Sequence, residues 1–193
     1  AVLDELQTGP CVVVGYSMGG AIAQLLAHRR PDLVRGLVLA ATSRDFRGRP
    51  ADRVRFGAVT MLAMGTRVIP GVPMAILSSV AHGRAGERWW AASELAQNNP
   101  ADVLAAADSL GRFTSRAWVG ELDVPATVIL TKDDNLVPPS RQEKLAASLR
   151  DSRVVRIDGD HLVCGRAPQR FAAALRYAVD DVERRVSGMR ATA

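Results

Sequence analysis

Val12-Val13-Val14-Gly15-Tyr16-Ser17-Met18-Gly19-Gly20-Ala21-Ile22 decides how the rest of the chain is read. Three β-branched residues in a row predict a short buried strand. Gly-Tyr-Ser-Met-Gly follows without a spacer, and an Ala-rich apolar segment with helical spacing then runs to Arg30. Strand, G-x-S-x-G turn and helix in that order make a nucleophile elbow. The chain must reverse so tightly at Ser17 that its backbone is strained and its hydroxyl stands out at the turn. Gly15 and Gly19 are expected where a Cβ would collide across that turn, and Gly20 and Ala23 where the helix lies close on the strand. The helix N-terminus aims free N–H groups and the positive end of its dipole at Ser17. The N–H of Met18 is therefore the candidate donor to an oxyanion forming there.

Working outward, Ala1 to Thr8 predicts the end of an amphipathic helix closed by Gly9-Pro10, and Pro31 stops the elbow helix. Ile22, Leu25 and Leu26 are its core-facing residues. Gly36 to Ala41 is a continuous apolar run, which favours a strand covered on both faces and so a parallel sheet. From Thr42 to about Val119 only helical patches are visible, at about 52–64, 74–81, 87–97 and 100–110, the last with Asn99 as N-cap. Pro125 to Thr131 returns to a buried strand. Ser140-Arg141-Gln142-Glu143 reads as a capping box opening a helix. Arg153 to Asp158 is another strand, and Pro168 begins a final helix with Phe171, Leu175, Val179, Val182 and Val186 on one face. The tail from Ser187 to Ala193 is expected to fray. The fold class is thus α/β, a parallel sheet flanked by helices with a helical cap insertion. The segments are 1–41 (elbow part of the core), 42–119 (insertion) and 120–193 (the remaining core).

Bulk properties narrow the function classes. At 193 residues, with 48% hydrophobic and 23% charged residues, the chain has the composition of an ordinary globular domain. The net charge of +5 is nearly all arginine, since Lys132 and Lys144 are the only lysines. The arginines are scattered, with a loose cluster from Arg44 to Arg55, as on a solvated surface; nothing beyond charge points to nucleic acid. Cys11 and Cys164 fit neither a metal spacing nor a disulfide framework. They read as free, mostly buried thiols of a reducing, cytoplasmic compartment. Val68 to Ala81 is too short to span a bilayer and is broken by Pro70, Gly71 and Pro73.

In a parallel α/β sheet the loops at the carboxyl ends of the strands gather on one edge. Ser17, the Asp133–Asn135 loop and His161 each follow a strand at that end, in the order serine, acid, histidine. A serine hydroxyl becomes a nucleophile when a neighbouring base takes its proton. Imidazole suits that base, and a carboxylate on its other nitrogen fixes the tautomer. His28, late in the elbow helix, and His82, in the insertion, are poorer candidates than His161. For the acid, Asp134, Asp133 and Asp45 remain open, while Asp158 and Asp160 lie too near His161 in sequence to reach its far nitrogen easily. Tyr16, Trp89 and Trp90 are candidate substrate contacts. Phe56, Met61, Met64, Met74, Ile76 and Leu77 in the insertion line a pocket or pack it onto the sheet. Trp118 reads as a packing residue.

GYSMGG, TKDDNLVPP and DGDHLVCGRAPQRF together resemble the elbow, acid loop and histidine loop of α/β-hydrolase-fold proteins. The resemblance covers Ala1 to about Val186 and matches the C-terminal two-thirds of that fold. It implies a serine hydrolase acting on an ester or related acyl substrate, with Ser17 as nucleophile, Asp134 as acid, His161 as base and no cofactor or metal. It leaves open carbon–carbon bond hydrolases and haloperoxidase-like members. Thr131 stands where the family commonly has Gly, and Asp160 where Gly usually precedes the histidine. The family also has several strands before the elbow and a second oxyanion donor from an early loop, neither of which this chain contains. Losing one such donor costs about 3–4 kcal/mol in the barrier. A fragment of a longer hydrolase, or a sheet completed by a partner or second copy at the elbow-strand edge, is the expectation. The competing reading is a non-catalytic binding module on the same fold.

Overall fold

The structure is a computed structural model that describes residues 2–46 and 100–191. Two compact units divide the chain: one joins Ala1–Asp45 to Thr114–Ala193, and the other is Phe46–Phe113. The expected insertion, 42–119, is wider at both ends than that second unit.

The first unit is built on a four-stranded parallel sheet in the order β1 (Cys11–Tyr16), β2 (Val34–Ala40), β3 (Ala126–Thr131), β4 (Ser152–Ile157). A short helix, α1 (Val2–Glu5), precedes it, and α2 (Met18–Arg29) crosses from β1 to β2. In β2 the pleat sends alternate side chains to opposite faces. Leu37 and Leu39 join Ala23 and Ala27 of α2, and Leu145 and Ala146 of α4 (Pro139–Ala146), in one core. Val38 and Ala40 join Val163 of the short α5 (Val163–Arg166) and Ala174, Ala178 and Val182 of α6 (Pro168–Ala191) in the other. Coverage on both faces explains why 36–41 reads as an unbroken apolar run and 125–131 as a buried strand.

β1 differs from its expectation. It is not a buried strand: among the described residues its outer edge has no partner strand, and Val14 is 46% exposed. Met18 beside it is exposed as well, and so is Ile22, which the helical spacing had facing the core. This is the edge at which the sequence predicts a completing strand. Three smaller expectations also change. No side-chain cap forms at α4, which starts at Pro139 with Pro138 as N-cap, so the capping box at Ser140 is not made. The last helix does not end at Val186 but continues to Ala191. Cys164 is exposed and Cys11 half-buried, so neither thiol is a core residue.

One charged group lies under the sheet. Asp181 of α6 is buried and accepts from Thr127 Oγ1 at 2.9 Å, and it pairs with Arg185 at 2.9 Å and Arg153 at 2.5 Å. Burial alone would raise its pKa, but the Thr127 hydrogen bond and the two guanidinium charges outweigh it and hold the carboxyl below its ordinary value. A depressed folded-state pKa gives stability that is present above the unfolded value of 3.8 and lost as pH falls through the lower folded value. Asp181→Asn should therefore cost about 1–3 kcal/mol near neutral pH, because Arg185 keeps Asp151 at 2.9 Å but loses the buried carboxylate it shares with Arg153. Urea unfolding as a function of pH should show that gap closing below 3.8. A gap independent of pH would contradict the assignment.

In the second unit the described part is Phe46 with α3 (Pro100–Arg112) and Phe113. The predicted helix over 100–110 is thus present and two residues longer. The rings of Phe46 and Phe113 lie 6.1 Å apart, and Phe46 N–H donates to Phe113 O at 3.3 Å. The other helical patches, and Asn99, His82, Trp89 and Trp90, fall outside the described residues.

Candidate active site

Ser17 sits between β1 and α2 with φ 52° and ψ −118°, a left-handed region that a non-glycine residue enters only when its surroundings hold it there. They do so through the backbone. Ser17 N–H donates to Ala40 O at 2.9 Å, and Ser17 O accepts from Gly20 N–H at 3.0 Å and from Thr42 Oγ1 at 2.7 Å. Gly15 makes the reversal possible: a Cβ there would lie 2.5 Å from Gly19 O and 2.6 Å from Gly20 Cα. Gly19 is not needed for this reason, since a Cβ on it would meet nothing within 4 Å. Met18 is the first residue of α2, so its N–H belongs to the helix's open first turn beside Ser17.

His161 follows β4 after a turn through Gly159, whose φ of 142° suits glycine. Asp134 follows β3. The two loops are joined through their backbones, with Lys132 N–H donating to Ile157 O and Asp133 N–H to Gly159 O, both at 3.1 Å. The result is one line of hydrogen bonds: His161 Nε2 lies 2.8 Å from Ser17 Oγ, and His161 Nδ1 lies 2.8 Å from Asp134 Oδ2. An ionised carboxylate only accepts, so Nδ1 carries the proton and Nε2 is left to accept from the serine hydroxyl.

Asp134 is 2% exposed, and its charge is met by donors on every side. Oδ1 accepts from the N–H groups of Leu136 at 2.9 Å and Val137 at 2.8 Å. Oδ2 accepts from Thr131 Oγ1 at 2.9 Å as well as from His161. The alternative acids are engaged elsewhere. Asp133 is exposed, and Asp45 pairs with Arg116 at 2.6 Å. Asp158 pairs with Lys132 at 2.8 Å, and Asp160 with Arg166.

Tyr16, read from sequence as a substrate contact, is turned toward the histidine loop. Its hydroxyl donates to the backbone carbonyl of His161, and its ring meets Phe171 edge-on at 5.4 Å. Burial, with Cys164 beside it, pushes the phenol well above its ordinary pKa, so the hydroxyl remains a donor. His28 stacks on Trp118 with ring centroids 4.3 Å apart, a packing role for both.

Sequence reasoning missed Thr131, Gln142 and Thr42. Gln142 carried a readable signal: it shares a helical face with Leu145 and Leu149, so it points inward, where a carboxamide needs partners. Among the described residues no group of three or more His, Cys, Asp or Glu is placed to hold a metal ion, and no helix is long and apolar enough to cross a membrane.

Comparison with known proteins bears on the family and the fold. A poly(3-hydroxyalkanoate) depolymerase of Ectopseudomonas oleovorans is 28% identical over 83% of this chain and 58% of its own length. The chain thus spans little more than half of that relative. A pimeloyl-[acyl-carrier protein] methyl ester esterase of Aromatoleum aromaticum is 32% identical over 87% of this chain and 71% of its own. Among solved structures, a thermophilic esterase from Thermogutta terrifontis superposes with a TM-score of 0.73 at 25% identity, over 94% of this chain and 69% of that one. The family model described as serine aminopeptidase, S33, matches residues 1–159. With the elbow, the parallel sheet and this match together, the chain belongs to that family of α/β-hydrolase-fold proteins.

Proposed function

We propose that this chain is a serine hydrolase that cleaves a carboxylic ester of a small molecule through an acyl-enzyme. The observation that carries the reading is the unbroken line from Ser17 Oγ through His161 to Asp134, with both heavy-atom distances at 2.8 Å. Ser17 Oγ attacks the ester carbonyl while His161 Nε2 takes its proton. The carbonyl oxygen becomes an oxyanion, held by Met18 N–H with the help of the α2 dipole. The imidazolium, stabilised by Asp134, returns its proton to the leaving alkoxide. Water then gives a proton to Nε2 and attacks the acyl-enzyme, releasing the acid and restoring Ser17. The relative named as a methyl ester esterase supports the ester as the bond attacked.

The apolar residues of segment 42–119, Trp89 and Trp90 among them, are proposed to supply the acyl specificity of a cap insertion. The two free thiols support a reducing, cytoplasmic location. A series of p-nitrophenyl esters from acetyl to dodecanoyl tests the function. The chain should release p-nitrophenolate with a preference for one acyl length. A correctly folded chain that cleaves none of them would overturn the reading.

A further inference from the structure

Behind Asp134 lies a second buried pair that the proposed reaction does not use. Thr131 and Gln142 are both fully buried. Gln142 Oε1 accepts from Thr131 N–H at 3.1 Å. That N–H can only donate, so the orientation of the carboxamide is fixed. Its Nε2 then donates one hydrogen to Thr131 Oγ1 at 2.9 Å and the other to Val137 O at 2.7 Å. Since the Thr131 hydroxyl receives a hydrogen from Gln142, its own hydrogen is directed at Asp134 Oδ2, 2.9 Å away. This is the same oxygen that holds His161 Nδ1.

We propose that Thr131, oriented by Gln142, is a positioning residue for the acid: it fixes Asp134 Oδ2 and shares its negative charge with His161. The proposal rests on the function above. Its physical content is a division of labour between the two carboxylate oxygens. Backbone N–H groups at 2.9 and 2.8 Å hold Oδ1 as part of the loop fold. Oδ2 has only Thr131 to set its place before the imidazole arrives, apart from a long 3.5 Å approach of Gln142 Nε2, whose two hydrogens are already used. Without the hydroxyl, the buried anion puts all the charge of that oxygen on one N–H. The Asp134–His161 hydrogen bond then tightens, and the imidazole follows an oxygen held in place only through Oδ1, at the other end of the carboxylate. Thr131 is wholly buried and touches no solvent-reachable surface, so substrate binding has no part in the effect.

The test is Thr131→Val, close to Thr in shape, beside Thr131→Ser. In the Val chain, kcat for the best p-nitrophenyl ester should fall roughly 10- to 100-fold, as for a lost hydrogen bond to a charged group, with KM unchanged. In the Ser chain most of the rate should return. The downfield proton resonance of His161 Nδ1–H, assigned with His161→Ala, should move further downfield in Val and stay in place in Ser. Gln142→Met makes the same test if Val is not tolerated, with a change in the same direction. The proton resonance does not depend on turnover, so it reads the positioning claim even if the ester reading fails. A folded Val chain with wild-type kcat and an unmoved resonance overturns the proposal. So does a loss of rate that Ser fails to restore.

Discussion

Ser17→Ala and His161→Ala should each lower kcat for an acyl ester by about 10⁶-fold, and the double substitution should lower it no further. The two side chains share one proton transfer. With Ser17 removed there is no oxygen for His161 Nε2 to activate at 2.8 Å, and with His161 removed the hydroxyl keeps its proton. Either loss leaves the same residual route, in which water attacks a carbonyl polarised by Met18 N–H. KM should change little, since neither group anchors the acyl chain in this scheme. Rates of the two single and one double variants on the same ester check the point. Losses that add in free energy would mean that the two groups act independently.

Asp134→Asn should lower kcat by about 10⁴-fold while the fold is kept. Here the structure predicts the orientation of the new amide. The N–H groups of Leu136 and Val137 at 2.9 and 2.8 Å can only donate, so the asparagine oxygen must take the place of Oδ1. Its NH₂ group then faces His161 Nδ1, which must accept. The ring proton moves to Nε2, and the base can no longer receive the proton of Ser17. Asp133→Asn and Asp45→Asn should leave kcat within about twofold, because Asp133 is exposed and Asp45 is held by Arg116. A large loss at Asp45 or Asp133, with Asp134→Asn nearly unaffected, would reassign the acid.

The elbow was legible because its requirements are local. A strand, a turn that tolerates no Cβ at Gly15 and a helix beginning at Met18 are all written within a few residues. The apolar run of 36–41 and the buried strand of 125–131 are legible for a related reason: both faces of each strand are covered, so the apolar signal does not alternate. The choice of Asp134 over Asp133 and Asp45 was not decided by the residues alone. It turns on which carboxylate the Leu136 and Val137 N–H groups enclose, and that is loop geometry. Tyr16 was misplaced because a tyrosine beside the nucleophile has the same sequence signature whether it faces substrate or, as here, the His161 carbonyl. Gln142 was read as part of a capping box when its carboxamide is needed at Thr131 and Val137, 11 and 5 residues back along the chain. β1 was expected to be buried from its valines, but burial depends on what lies beyond its outer edge, and Val14 is 46% exposed.

The proposed reaction needs Ser17 to be a nucleophile activated by His161. Fluorophosphonate labelling of the folded chain, followed by intact mass and peptide mapping, tests it most directly, because phosphonylation needs an activated hydroxyl and no particular substrate. One label per chain is expected, on Ser17, absent in Ser17→Ala and strongly slowed in His161→Ala. A folded chain that takes no label, or takes it on another residue at a rate indifferent to His161, would contradict it.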